Sequence, residues 1–292
     1  MHKKIINTFM VNILVSFIAN SSDRIYVATP EESTWEVIVN TPLECRLKHS
    51  IPNYAHAEFS SKADKKSNIH LELKMFKPIQ KISNVHLVSI PPSWYPSNNS
   101  GKHIANIKFF KHFDAYLSGR IVSIILSELE KGYYPTFSYY QDWQKNYNER
   151  TEFALSSVSF QKTYSVFMNC ITNLLPYNFE DISFVILHYI QDTLELNEES
   201  QKHLDKIAKY IRYYQDIKLI SISSYTDAGD SKKESQHLTE QRATALKNYF
   251  QELGLSDSKI YVQAYGKRRP IANNSSLIGR NKNERIVLSL RR

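Results

Sequence analysis

The sequence is short of the features that most often announce a function. It has only two cysteines, Cys45 and Cys170, and they stand far apart in the chain. No paired Cys or His spacing suggests a bound metal, and the ten histidines are scattered. There is no Gly-x-Ser-x-Gly elbow and no His-Glu-x-x-His helix, so the common hydrolase signatures are missing. Acidic pairs such as Glu31-Glu32 read as surface, not as a general acid and base. No internal period or low-complexity stretch appears. No apolar run reaches the roughly 20 residues that a membrane-spanning helix needs. These absences argue against an enzyme, and they leave no residue set for a cofactor.

What is present begins at the N-terminus. Lys3 and Lys4 precede an apolar run from Ile5 to Ile18, and small polar residues follow at Ala19-Asn20-Ser21-Ser22. Charge, apolar segment and small residues in that order predict a secretory signal peptide over residues 1–21, cut after Ser21. An uncleaved anchor or a core helix is the alternative. No cysteine follows the run, which argues against a lipid-anchored lipoprotein. The expected location is outside the cytoplasm. About 270 residues remain, enough for two ordinary domains. The formal charge of +8 falls to +6 once Lys3 and Lys4 are removed. A basic exported chain suits an anionic envelope polymer, and export argues against nucleic acid as the partner. Oxidising surroundings and an even cysteine count predict a Cys45–Cys170 disulfide, which would close a long loop.

The pattern changes near Pro176. From residue 22 to residue 177 the chain reads as a strand-rich, antiparallel β domain. Ile69–Met75 places apolar residues at every second position, the mark of one buried and one wet face. Further strands are expected over Trp35–Val39, Val85–Ile90, Ile104–Tyr116, Tyr133–Tyr139 and Glu152–Phe160. Helices are expected over Ile121–Lys131, stopped by Gly132, and over Thr163–Leu175, with Cys170 facing inward. Clean alternating segments are too few for a transmembrane barrel. From residue 178 to residue 292 strands and helices alternate. Strands are expected over Ile182–Ile190, Ile217–Ser224, Lys259–Ala264 and Arg285–Leu290, and helices over Asn197–Tyr213 and Lys232–Leu253. The order predicts an antiparallel β domain followed by a layered α/β or α+β domain with helices against one sheet.

One constellation in the second region carries chemistry. Thr226-Asp227 follows directly on a predicted strand, and Arg242 lies in the helix after it. A carboxylate can hold an ammonium group, and a guanidinium fork can hold a carboxylate, so the pair suits a zwitterion. A solvated Asp, or an Asp–Arg pair made within the protein, is the plainer alternative. Lys267-Arg268-Arg269 could meet an anionic surface or simply form a solvated turn.

The surrounding residues add a resemblance. Tyr225-Thr226-Asp227-Ala228-Gly229, Leu238-Thr239-Glu240-Gln241-Arg242-Ala243, Tyr265-Gly266, Pro270-Ile271-Ala272, Asn274, Gly279-Arg280 and Asn283-Glu284-Arg285 come in order. This set resembles the OmpA-like peptidoglycan-binding family. The resemblance implies an α+β fold of the β-α-β-α-β sandwich type and non-covalent binding of the diaminopimelate of the wall peptide, with Asp227 and Arg242 on the two gripping positions and Thr226 beside them. Both charged groups are expected at the rim of a pocket. Two positions depart from the family pattern, Ser235 and the Glu284 of Asn283-Glu284-Arg285.

In the first region Tyr26-Val27-Ala28-Thr29-Pro30, Asn40 to Leu47, Phe59 to Ala63, Ile125 to Gly132 and Tyr134 to Tyr139 resemble the MotY family of sodium-type flagellar proteins. That resemblance implies a periplasmic T-ring component. Its partners would be peptidoglycan, the flagellar basal body, a MotX-like ring protein and the stator complex. A general OmpA-type anchor between wall and outer membrane, or a wall hydrolase, are the competing readings.

Overall fold

The computed structural model describes residues 23–66, 68–92, 94–95, 101–144, 147–191, 193–214, 216–227 and 231–292. The expected signal peptide and the Ala228-Gly229 step lie outside the described residues.

The first region contributes ten strands: β1 (Arg24–Tyr26), β2 (Trp35–Asn40), β3 (Glu44–Ile51), β4 (Ala55–Lys62), β5 (His70–Met75), β6 (Ser83–Ile90), β7 (Lys102–Phe109), β8 (Ala115–Ser118), β9 (Tyr134–Gln144) and β10 (Tyr147–Ala154). Helix α1 (Arg120–Glu130) falls between β8 and β9, and α2 (Phe160–Thr172) follows β10. The strands form two sheets, in the orders β1-β10-β9-β6-β7 and β2-β3-β4-β5-β8. All pairings are antiparallel except β1 with β10. β3 and β5 bury alternate residues, so one face of each meets the shared core. That core draws on both sheets: Tyr54 of the β3–β4 turn stacks 4.4 Å from Phe153 and touches the Tyr139 hydroxyl.

Helix α1 buries Val122, Ile125, Leu126 and Leu129, one stripe at helical spacing. It ends where Gly132 takes φ 86°, a conformation that costs a residue with a Cβ. Helix α2 presents Phe160, Phe167 and Cys170 inward. Cys170 is bonded to Cys45 on β3, with their Cα atoms 5.9 Å apart and 125 residues between them in sequence. The expected disulfide is present and staples α2 to the second sheet.

The second region runs α3 (Phe179–Ile182), β11 (Phe184–His188), α4 (Glu198–Tyr213), β12 (Leu219–Tyr225), α5 (Lys232–Glu252), β13 (Ile260–Ala264), α6 (Leu277–Asn283) and β14 (Arg285–Arg291). Its sheet has the order β11-β14-β12-β13, with β12 and β13 parallel and β14 antiparallel to both its neighbours. Helices α4 and α5 are started by Asn197 and Ser231, whose side chains accept the Ser200 and Glu234 amides. Leu204, Ile207, Leu246 and Phe250 lie against Ile220, Ile222 and Leu288 of the sheet in a second core.

Several element boundaries differ from expectation for local reasons. Ile104–Tyr116 is two strands in different sheets, because the chain turns through Phe110–Asp114 with His112 at φ 63°. Glu152–Phe160 is not one strand: β10 stops at Ala154, Ser159 takes φ 62°, and Phe160 opens a helix. That helix ends at Thr172, so Leu174 and Leu175 lie beyond it. A capping box between Asn178 and Asp181 diverts Phe179–Ile182 into one helical turn before the strand. Strands β3 and β4 and helix α6 had no strong sequence signal.

Candidate functional site

The site is built at the exit of β12. Its last residue is Tyr225, and Thr226 and Asp227 follow. The Thr226 amide donates to the Gly266 carbonyl at 3.1 Å, which ties this exit to the end of the parallel strand β13. Gly266 sits at φ 55°, and its amide donates to the Thr239 hydroxyl of α5 at 3.1 Å. The exit is thus fixed between a strand end and a helix, with Arg242 one turn further along α5.

Glu284, immediately before β14, is the hub. One of its carboxylate oxygens accepts the Thr226 hydroxyl and, at 3.1 Å, the Asp227 amide. The other accepts Arg242 Nη1. Neither the Arg242 nor the Glu284 side chain is exposed. The Nε and Nη2 edge of Arg242 donates to the Thr193 carbonyl at 2.9 and 2.6 Å. Its guanidinium carbon lies 4.2 Å from the centre of the Tyr189 ring, a cation–π contact in a water-poor setting. Arg242 is therefore enclosed by Glu284, the Thr193 carbonyl and the Tyr189 ring, not set on the rim as expected. The physical reason is that Glu284 and the Thr193 carbonyl compensate the buried charge, which makes full burial tolerable.

Asp227 has a different environment. Burial first, then its hydrogen bond and proximity to the Glu284 carboxylate, raise its carboxyl to about 6 from the ordinary 3.8. Two carboxyl groups in contact cannot both ionise freely, and Glu284 is the one held charged. Burial works against that charge, but the Thr226 hydroxyl, Arg242 and Asp227 outweigh it and hold Glu284 below its usual range. The Asp227 Oδ1 atom is buried and accepts no hydrogen bond from the described protein atoms.

The outer wall of the site is aromatic and basic. Tyr225 and Tyr265 stack at 4.8 Å, with Arg285 4.0 Å over Tyr225 and Arg269 4.8 Å over Tyr265. Arg285 also donates to the Arg269 carbonyl at 3.0 Å, and Arg268 donates to the Tyr265 carbonyl at 2.9 Å. The Lys267-Arg268-Arg269 segment is accordingly a turn folded back on Tyr265. Below it Asn283 accepts the Ile271 and Ala272 amides at 2.8 and 3.2 Å and shapes the chain before α6. A Cβ on Gly279 would come within 1.8 Å of the Asn273 carbonyl oxygen, so this approach admits only glycine.

Thr226, Asp227 and Arg242 are thus brought around one carboxylate. Asp227 and Arg242 do not pair with each other directly; Glu284 stands between them. Glu284 was visible in the sequence only as an acid in the Asn283-Glu284-Arg285 step. Thr193 and Tyr189 carried no signal, because one acts through its backbone carbonyl and the other through a ring face. Among the described residues no cluster of three or more His, Cys, Asp or Glu could hold a metal ion, and no helix is long and apolar enough to cross a membrane.

Comparison with known proteins adds family relationships. Residues 26–176 match the model of the MotY N-terminal domain, and residues 189–284 match the OmpA family. The chain is 54% identical over 267 residues to the sodium-type flagellar protein MotY of Vibrio parahaemolyticus, covering 91% of this chain and 90% of that one. The C-terminal part is 30% identical over 99 residues to an outer membrane protein A of Bordetella avium, covering 34% of this chain and 50% of that one. Among solved structures, the chain is similar to the peptidoglycan-associated lipoprotein from Burkholderia pseudomallei. There the identity is 22% and the TM-score 0.33, over 36% of this chain and 89% of that one.

Proposed function

Because the chain belongs to the MotY family, we propose that it is a non-catalytic component of the flagellar motor that holds the cell wall through its C-terminal site. In this reading residues 1–21 are a signal peptide, and the mature chain works in the periplasm. Residues 22–177 join the T ring at the basal body with a MotX-like partner. Residues 178–292 bind peptidoglycan without covalent change, so that stator complexes are recruited and held against a fixed support.

The observation that carries the wall-binding part is the sharing of Glu284 by Asp227 and Arg242, with Asp227 Oδ1 buried and unbonded. Asp227 would receive the ammonium of a diaminopimelate side chain through Oδ1. The cation would favour the ionised form of Asp227, which burial and the Glu284 carboxylate together disfavour. The carboxylate of the same amino acid would be taken by the Nε and Nη2 edge of Arg242. That edge now meets a single carbonyl oxygen of Thr193, whereas a carboxylate offers two oxygens in the matching fork. Thr226 would act by orienting Glu284. Sedimentation with purified sacculi tests the reading. Asp227→Ala should bind at least tenfold more weakly while remaining folded, as expected when one partner of a desolvated charge pair is removed. A folded Asp227→Ala protein that sediments with sacculi as well as the parent chain removes the site from consideration.

A further inference from the structure

Four of the chain's exposed large apolar side chains stand together at one end of the N-terminal sheets. Phe76 and Ile82 bound the β5–β6 turn, and Phe110 and Phe113 lie in the β7–β8 turn; they are 54%, 63%, 56% and 69% exposed. The two turns form one structure. The His112 amide donates to the Ile79 carbonyl at 3.1 Å, and the Met75 amide donates to Asp114 Oδ1 at 3.1 Å. Ile79 is buried at the base and anchors the first turn, and the Phe76 ring meets His56 edge-on at 5.0 Å. Strand pairing continues the arrangement, since Ser83 lies opposite Phe109 and so sets Ile82 beside Phe110.

Each of these apolar residues has a lysine within two positions. Lys77, Lys81, Lys108 and Lys111 are all exposed, and Asp114 is the single acid in the two turns. We infer that this tip docks on the surface of an anionic phospholipid bilayer. Clustered exposed apolar surface marks an interaction site, because leaving it in water is unfavourable. The lysines supply attraction to anionic headgroups, and their long stems can lie along apolar surface while the ammonium stays wet. The side chains project outward from tight turns. A rigid protein partner would need a hollow matched to each, while the interface of a bilayer accepts protruding rings of any arrangement. Mixed basic and aromatic composition of this kind suits the boundary between headgroups and acyl chains. The inference is independent of the wall-binding site.

Vesicle sedimentation tests it. The probe is a bilayer of phosphatidylethanolamine and phosphatidylglycerol, with phosphatidylcholine vesicles as the neutral comparison. The protein is the chain without residues 1–21, since their apolar run would itself bind lipid. Binding to the anionic vesicles should be at least tenfold tighter than to the neutral ones and should weaken as salt rises. Lys77→Gln with Lys111→Gln should weaken it about 25-fold, at about fivefold for each lysine near a charged membrane surface. Phe110→Ser with Phe113→Ser should weaken it at least tenfold. Both double variants should melt with the parent chain and sediment with sacculi as before. Anionic binding that neither double variant reduces overturns the inference. So does a tip that holds an acidic envelope protein but no vesicle, since docking would then be to protein.

Discussion

Arg242 and Glu284 form an ion pair in which neither side chain reaches solvent, and the same Glu284 accepts the Asp227 amide. A charge pair of this kind contributes little over an apolar replacement, but half of it is costly to leave behind. Glu284→Gln should therefore lower the stability of the C-terminal region by about 3–5 kcal/mol, read from its denaturant unfolding. The double variant Arg242→Met/Glu284→Leu should recover most of that stability and still fail to bind sacculi. A double variant that is stable and binds normally would show the pair to be purely structural.

Stability and wall binding should respond to pH in opposite directions at Asp227. Its folded value of about 6 lies above the ordinary 3.8, so the native state holds the proton more tightly than the unfolded chain. The C-terminal region should accordingly lose stability as pH rises through that window. Ammonium binding needs the ionised carboxylate, so sacculus binding should grow over the same range. Asp227→Asn should flatten both profiles. A binding curve of Asp227→Asn that keeps the parent midpoint would place the titrating group elsewhere.

His49 makes the N-terminal region sensitive to acid. It stacks 4.3 Å from Trp35 and has one ring nitrogen 2.8 Å from the Thr34 carbonyl, while the other accepts the Ser156 amide at 3.3 Å. Those partners require the neutral ring. Burial, partly offset by the Thr34 bond, lowers its value to about 4 from 6.5. Here the unfolded chain binds the proton more readily, so stability should fall as pH drops from 6.5 through 4, by up to about 3 kcal/mol. Urea midpoints across this range, compared with those of His49→Gln, measure the effect. The variant should be less stable at neutral pH and should lack this slope.

Reduction of Cys45–Cys170 should act on the first region alone. The bond closes a loop spanning 125 residues, and the chain-entropy argument puts its contribution at about 4–5 kcal/mol before any strain. Calorimetry with and without reductant should move the transition of the N-terminal sheets and leave that of the C-terminal sheet in place. If the C-terminal transition moves equally, the two regions unfold as one unit and the assignment to separate cores is wrong.

Much of this protein was legible before any fold was drawn, and the reasons are local. Alternation in Ile69–Met75 and helical spacing in Ile121–Lys131 arise from the same burial that the sheets and α1 display. The helix-capping residues Asn197 and Gly132 act within a turn of the chain, so they could be read in order. The MotY and OmpA-like motifs, and the Thr226, Asp227 and Arg242 positions, were equally open to reading. The environment of those three was not. Glu284 lies 42 residues from Arg242 and 57 from Asp227, and it reaches both only because β14 pairs with β12. Arg242 was expected at a rim, yet it is enclosed by the Thr193 carbonyl and the Tyr189 ring. Neither contact depends on a side-chain pattern that a linear motif records. The basic, aromatic tip has the same origin, since Phe76 and Phe113 adjoin only once β5 is paired with β8. Short-range chemistry determined the elements and named the charged groups. Long-range strand pairing decided which of them share a proton, which is buried, and which face the outside.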